Sequence, residues 1–96
     1  MQKQIIKIAE KHIKELEIQA KVELIIGYEE TIIKPYGSIF FYTSKKFAKT
    51  EDFKYAIAGN APFLVENESG KIISFGTSES DEYYIEEYEA GRWPVK

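Results

Sequence analysis

The chain has 96 residues, of which 44% are hydrophobic and 30% charged, and its net charge at neutral pH is −3. This length predicts one domain over residues 1–96, and the composition excludes a disordered chain. Cysteine is absent, which excludes disulfides and favours the reducing cytoplasm, while the negative charge disfavours nucleic acid and favours a basic protein partner.

The N-terminal segment predicts an amphipathic helix. Ile5, Ala9, His12 and Leu16 recur at helical spacing, and charged residues occupy the remaining positions. These charges interrupt the apolar stretch that an export signal needs. The longest purely apolar run of the chain is also too short to span a membrane.

The next segments predict strands and a hairpin. Apolar and other residues alternate over 22–26, Gly27 marks a bend, and the extended pattern resumes at 31–33. Residues 35–37 have turn chemistry, in which proline fixes one φ angle and glycine tolerates a positive one. Residues 38–43 are apolar on both faces, which predicts one continuous central strand.

The second half predicts another hairpin and a closing helix. Residues 44–58 indicate a surface excursion that returns through a short buried helical turn. Strands at 62–65 and 71–75 flank a polar loop. Ser78 to Asp81 has the form of a capping box that begins a helix at 81–89, and Gly91 ends it. The order predicts an α+β fold: an N-terminal helix, an antiparallel sheet of about four to five strands built from hairpins, and a C-terminal helix.

Residues suited to catalysis or to metal or cofactor binding are sparse. His12 is the only histidine and lies on or beside the apolar stripe of the first helix, where packing is its expected role. The carboxylate pairs Glu29-Glu30, Glu51-Asp52 and Glu86-Glu87 point apart on a strand or helix, which is typical of solvated charge. No glycine-rich phosphate loop is present. We therefore expect no catalytic, cofactor or metal site.

The last helix carries an acidic stripe. Glu79, Glu82, Glu86 and Glu89 are spaced three, four and three residues apart, so they are predicted to line one face, with Tyr83 at its margin. Two interpretations remain open. The stripe is either the solvated side of a surface helix or a docking surface for a basic protein.

From Tyr36 onward the chain resembles the immunity protein family Imm35. The similarity follows, in order, Tyr36-Gly37, Ile39-Phe40-Phe41-Tyr42, Ser44-Lys45-Lys46-Phe47, Ala58-Gly59-Asn60-Ala61-Pro62, Glu68-Ser69-Gly70, Gly76-Thr77 and Tyr84-Ile85-Glu86-Glu87-Tyr88. The chain departs from the family pattern at Ser38, where tryptophan is common, and at Ser80, where proline often opens the helix.

The resemblance implies a protein that binds a partner without catalysis. Family members are encoded beside polymorphic toxins and are thought to neutralise them by direct binding, so a cognate toxin is the expected partner. Related YrhB-type proteins are described as small and chaperone-like, which gives the alternative of binding unfolded clients through exposed apolar surface. A small enzyme is the third hypothesis, and an exposed edge strand would also support a homodimer.

Overall fold

The computed structural model describes residues 3–52 and 61–94 of the chain. The helices in this part are α1 (Lys3–Ala20), α2 (Lys45–Thr50) and α3 (Asp81–Glu89). The strands are β1 (Leu24–Ile26), β2 (Ile32–Lys34), β3 (Gly37–Phe40), β4 (Tyr42–Ser44), β5 (Phe63–Glu66) and β6 (Ile72–Ser74), and a 3-10 turn covers Tyr28–Glu30. The predicted α+β fold with a helix near each end is confirmed.

Helix α1 buries the apolar face that its spacing predicts. Ile5, Ala9 and Ile13 are buried against the sheet. The helix ends after Ala20 because Lys21 adopts the left-handed conformation, with φ of 59°. The Lys21 N–H still donates to the carbonyl of Glu17 at 2.8 Å, which satisfies one of the last helical carbonyls.

The strands form two antiparallel sheets. One has the order β2-β3-β5-β6 and the other pairs β1 with β4. Pro35 and Tyr36 alone connect β2 to β3, and the β5–β6 connection ends at Gly70, which adopts φ of +69°. Both predicted hairpins are therefore confirmed.

The four-stranded sheet separates two apolar clusters. Side chains alternate along each strand, so Phe63 and Val65 of β5 face α1, and Leu64 between them faces α3. The cluster beneath α1 contains Ile5, Ala9, Ile13, Leu24, Ile26, Phe40, Phe63 and Val65. The cluster beneath α3 contains Ile39, Leu64, Ile73, Phe75, Tyr84 and Ile85.

The predicted strand over residues 38–43 is wrong in one respect, because it breaks at Phe41. Phe40 pairs with Phe63 in the four-stranded sheet, whereas Tyr42 pairs with Ile26 in the two-stranded sheet. The carbonyl of Phe41 accepts a hydrogen bond from the N–H of Gly27 at 2.9 Å. The chain thus passes from one sheet to the other at this residue. Its first half is central in the four-stranded sheet, as predicted.

The last helix spans Asp81–Glu89, as predicted, but its predicted capping residue is wrong. Ser80, not Ser78, is the N-cap, and its Oγ accepts a hydrogen bond from the Tyr83 N–H at 3.2 Å. The Ser78 hydroxyl instead lies 3.0 Å from the Tyr84 hydroxyl. Gly91 follows the helix with φ of +77°, as expected of a helix-terminating glycine.

Helix α2 begins the surface excursion that follows β4. Its N-cap is Ser44, whose Oγ accepts from the Phe47 N–H at 2.9 Å. The short buried helical turn predicted for the end of residues 44–58, with the apolar Phe53, Tyr55, Ala56 and Ile57, lies outside the described residues. Within residues 3–52 and 61–94, no helix has the length and apolar character needed to cross a membrane.

Candidate partner-binding surface

Helix α3 presents one buried and one exposed side. Tyr84 and Ile85 are buried in the cluster beneath the helix. Glu82, Tyr83 and Glu86 are exposed on the other side, and we call these three residues the outer acidic face. Tyr83 is 42% exposed and meets the Tyr84 ring edge to face, with centroids 5.2 Å apart. This contact holds a partly open aromatic ring beside two carboxylates.

The other two residues of the predicted stripe are placed differently. Glu79 is exposed but precedes the Ser80 cap, so it lies outside the helix. Glu89 ends the helix beside the β2–β3 hairpin, where it accepts a hydrogen bond from the Tyr36 hydroxyl at 2.7 Å and lies 3.5 Å from Lys34 Nζ. The Tyr36 hydrogen bond and the Lys34 charge lower the pKa of Glu89. The structure therefore brings Glu82, Tyr83 and Glu86 together and places Glu89 at their margin.

A second tyrosine–carboxylate pair fastens the same helix to the sheet. The Tyr88 hydroxyl donates to the Glu66 carboxylate at the end of β5. Desolvation and this hydrogen bond raise the pKa of Tyr88 to about 12, and the bond from Tyr88 is the main reason that the pKa of Glu66 is lowered. The rings of Tyr36 and Tyr88 are 5.0 Å apart. They line an open depression of about 440 Å³ together with Pro35, Glu66, Asn67, Glu68 and Ser69.

Sequence patterns did not predict these two pairs. Tyr36 and Glu89 are 53 residues apart, and Tyr88 and Glu66 are 22 apart, so no local spacing reports them. One sequence feature could have indicated such pairs. Tyr88 lies on the sheet side of an acidic helix, where its hydroxyl needs a polar partner. The pairs matter because they fix the orientation of α3 and hence of the outer acidic face.

The segment after α3 supports the helix from its C-terminal end. Arg92 donates two hydrogen bonds to the Glu87 carboxylate, at 2.6 and 2.8 Å, which lowers the pKa of Glu87. The Trp93 indole N–H donates to the carbonyl of Ser74 in β6 at 3.0 Å, and its ring packs on Tyr84. The tail thus folds back over the sheet. Glu87 is neutralised locally, whereas Glu82 makes no such ion pair within the described residues.

His12, the candidate for acid–base chemistry, is a packing residue. Its ring meets Phe63 edge to face, with centroids 4.7 Å apart. Burial lowers the pKa of the imidazole below its ordinary value, and the nearby Glu15 carboxylate opposes this shift. In the part of the chain that the structure describes, no three histidine or acidic side chains group in a way that could hold a metal ion.

Comparison with known proteins places these features in a family. The family model described as immunity protein 35 matches residues 3–91. A protein of Escherichia coli (strain K12), named "Uncharacterized protein YrhB", is 40% identical over 53 residues. That alignment covers 55% of this chain and 56% of the YrhB chain, so it spans little more than half of either protein. No solved structure matches the chain.

Proposed function

The chain belongs to the immunity protein 35 family, and from this membership we propose that it neutralises a cognate bacterial toxin by stoichiometric binding. The match over residues 3–91 is the observation that carries the proposal, because it includes both helices that flank the sheet. Immunity protein 35 is not an enzyme family. Our proposal is that the bound protein occludes the toxin. The absence of cysteine favours the cytoplasm as the place of encounter.

The outer acidic face is the surface that we assign to the toxin. Glu82 and Glu86 place two exposed carboxylates on the solvent side of α3, and Tyr83 adds an aromatic side chain of the kind enriched at interfaces. Glu79 extends the negative charge beyond the N-terminal end of the helix, whereas Glu89 at the other end is paired with Lys34. A toxin with a basic surface matches this arrangement, because opposite potentials steer the encounter and disfavour partners of the wrong charge.

The rigidity of α3 supports the same assignment. The Tyr36 and Tyr88 hydroxyls tie the helix to the β2–β3 hairpin and to β5, and the Trp93 indole ties the segment after the helix to β6. A preorganised surface loses less conformational entropy on binding than a mobile one. The backbone that carries the outer acidic face is thus already ordered before a toxin binds.

The function is tested with the protein encoded by the adjacent reading frame. We expect co-expression to protect cells from that toxin, and the purified pair to form a complex of fixed stoichiometry by size-exclusion chromatography with light scattering. Unprotected cells together with two separately eluting proteins would contradict the proposal.

The surface is tested by charge reversal. The double substitution Glu82→Lys with Glu86→Lys should slow association at low salt by about tenfold or more and flatten its salt dependence. The matched control is Glu29→Lys with Glu30→Lys, which changes the net charge equally at exposed carboxylates of the 3-10 turn. Stopped-flow fluorescence measures the association rate of each variant with the toxin. Equal slowing in both variants would mean that the exposed side of α3 is ordinary solvated surface.

A further inference from the structure

Within residues 3–52 and 61–94, most of the large exposed apolar side chains lie between α1 and β1. Ile18 at the end of α1 is 78% exposed, Ile25 in β1 is 43% exposed, and Val22 and Tyr28 beside them are also exposed. Outside this cluster, the other large exposed apolar side chains in the described residues are Ile33 and Tyr83. We call Ile18, Val22, Ile25 and Tyr28 the α1–β1 patch. Contiguous exposed apolar surface of this kind marks interaction sites.

The patch borders a continuous groove. Two depressions of about 300 and 390 Å³ adjoin each other and share Lys14 and Glu17 of α1 as lining residues. Ile25 and Tyr28 line the first, and Ile18 and Val22 line the second. The groove therefore joins all four side chains of the patch along one side of the molecule.

The groove also contains an open sheet edge. Backbone bonds from Lys45 N–H to the Glu23 carbonyl and from Gly27 N–H to the Phe41 carbonyl direct the odd-numbered residues of this segment toward β4. Leu24 and Ile26 therefore direct their backbone groups away from β4, where no strand of the described chain pairs with β1. The Glu17 carboxylate accepts from the Leu24 N–H at 2.7 Å and covers part of this edge. The remaining groups suit pairing with another chain.

We propose that a second copy of this chain covers the α1–β1 patch. The rim of the groove carries both charges, with Lys14 and Lys21 close to Glu10, Glu17 and Glu23. A two-fold interface brings the same surface together twice, so it requires a surface that is complementary to itself. A rim of mixed charge meets the electrostatic part of that requirement. The outer acidic face does not, because it would oppose carboxylates to carboxylates.

The two surfaces lie in different parts of the fold. Helix α1 packs on the face of the sheet that carries Phe63 and Val65, whereas α3 packs on the opposite face over Leu64. Pairing through the α1–β1 patch thus leaves the outer acidic face of each copy exposed. The dimer would present two toxin-binding faces.

The experiment measures the self-association of the purified full-length chain without toxin. We expect sedimentation velocity across the micromolar range to show a reversible dimer. Ile25→Lys should raise the dissociation constant at least tenfold, because it places an ammonium group in the apolar groove. Ile33→Lys is the matched control, because Ile33 is also the exposed middle residue of a three-residue strand and is 64% exposed. It should leave the dimer intact.

Three results would overturn the proposal. The first is a wild-type chain that stays monomeric throughout, and the second is equal weakening by Ile25→Lys and Ile33→Lys. The third is a monomer that suppresses aggregation of several unrelated unfolded proteins and loses this activity with Ile25→Lys, which would assign the patch to clients. Circular dichroism of each variant checks that it remains folded. Since no toxin is present, none of these results bears on the proposed immunity function.

Discussion

Gly37 is a position where the packing of neighbouring residues requires glycine. The sequence predicted that its role in the turn is to allow a positive φ angle, and this interpretation is wrong, because Gly37 does not adopt one and is the first residue of β3. Its Cα instead lies close to β5. A Cβ at this position would overlap the carbonyl oxygen of Val65 and lie 2.9 Å from the Leu64 Cδ1 atom. Absence of a side chain is what β3 and β5 require here.

We therefore expect Gly37→Ala to destabilise the protein. The overlap forces β3 away from β5, and such overpacking typically lowers the free energy of unfolding by about 1–3 kcal/mol. Gly27→Ala is the control, because the nearest atom to its added Cβ would be in the flexible Glu30 side chain, at 3.5 Å. Urea unfolding followed by Trp93 fluorescence measures both. Similar free energies for the two variants would contradict the packing argument.

The lowered pKa of His12 predicts how the free energy of unfolding depends on pH near neutrality. Burial lowers its pKa in the folded state below the ordinary value of 6.5, so the unfolded chain binds the proton more readily. The contribution of the neutral ring is fully present above pH 6.5 and is lost as the pH falls through the lower, folded-state pKa. Since His12 is the only histidine, His12→Gln should flatten the decline in unfolding free energy that the wild type shows below neutrality. An unchanged slope in the variant would assign the decline to carboxylates.

At the scale of elements, the start of α3 depends on one serine. Ser80→Ala removes the side-chain acceptor for the Tyr83 N–H and should lower the free energy of unfolding by about 1 kcal/mol. Ser80→Asp keeps an acceptor and adds negative charge at the helix N-terminus, so it should retain the wild-type value. Thermal denaturation followed by circular dichroism compares the variants. Equal losses for both would show that the cap contributes little.

The sequence predictions were correct where they depended on local interactions and failed where they depended on contacts between distant parts of the chain. The two hairpins were predicted because their turn residues act locally, and the buried face of α1 because its spacing is local. The break at Phe41 was missed because apolar alternation does not report which partner strand each half meets. In the same way, helical spacing grouped Glu82 with Glu86, but only the tertiary contact with Tyr36 distinguishes Glu89 from them.

At the scale of the whole molecule, β5 connects the two apolar clusters. Phe63 and Val65 belong to the cluster beneath α1, and Leu64 belongs to the cluster beneath α3. A change at Leu64 therefore acts on the strand that supports both sides. This arrangement predicts that residues 1–96 unfold as one cooperative unit, in agreement with the single domain expected from the length.

Leu64→Ala tests this cooperativity. Leu64 is fully buried, so the truncation should lower the free energy of unfolding by about 2–5 kcal/mol. Trp93 fluorescence reports the α3 side, and circular dichroism at helical wavelengths is dominated by α1, the longest helix described. Both transitions should shift to the same lower urea concentration and remain coincident. Ile33→Ala, at an exposed position, should move neither. A fluorescence transition that shifts while the helical signal does not would mean that the two clusters unfold separately. The outer acidic face on α3 could then open without disturbing the α1–β1 patch.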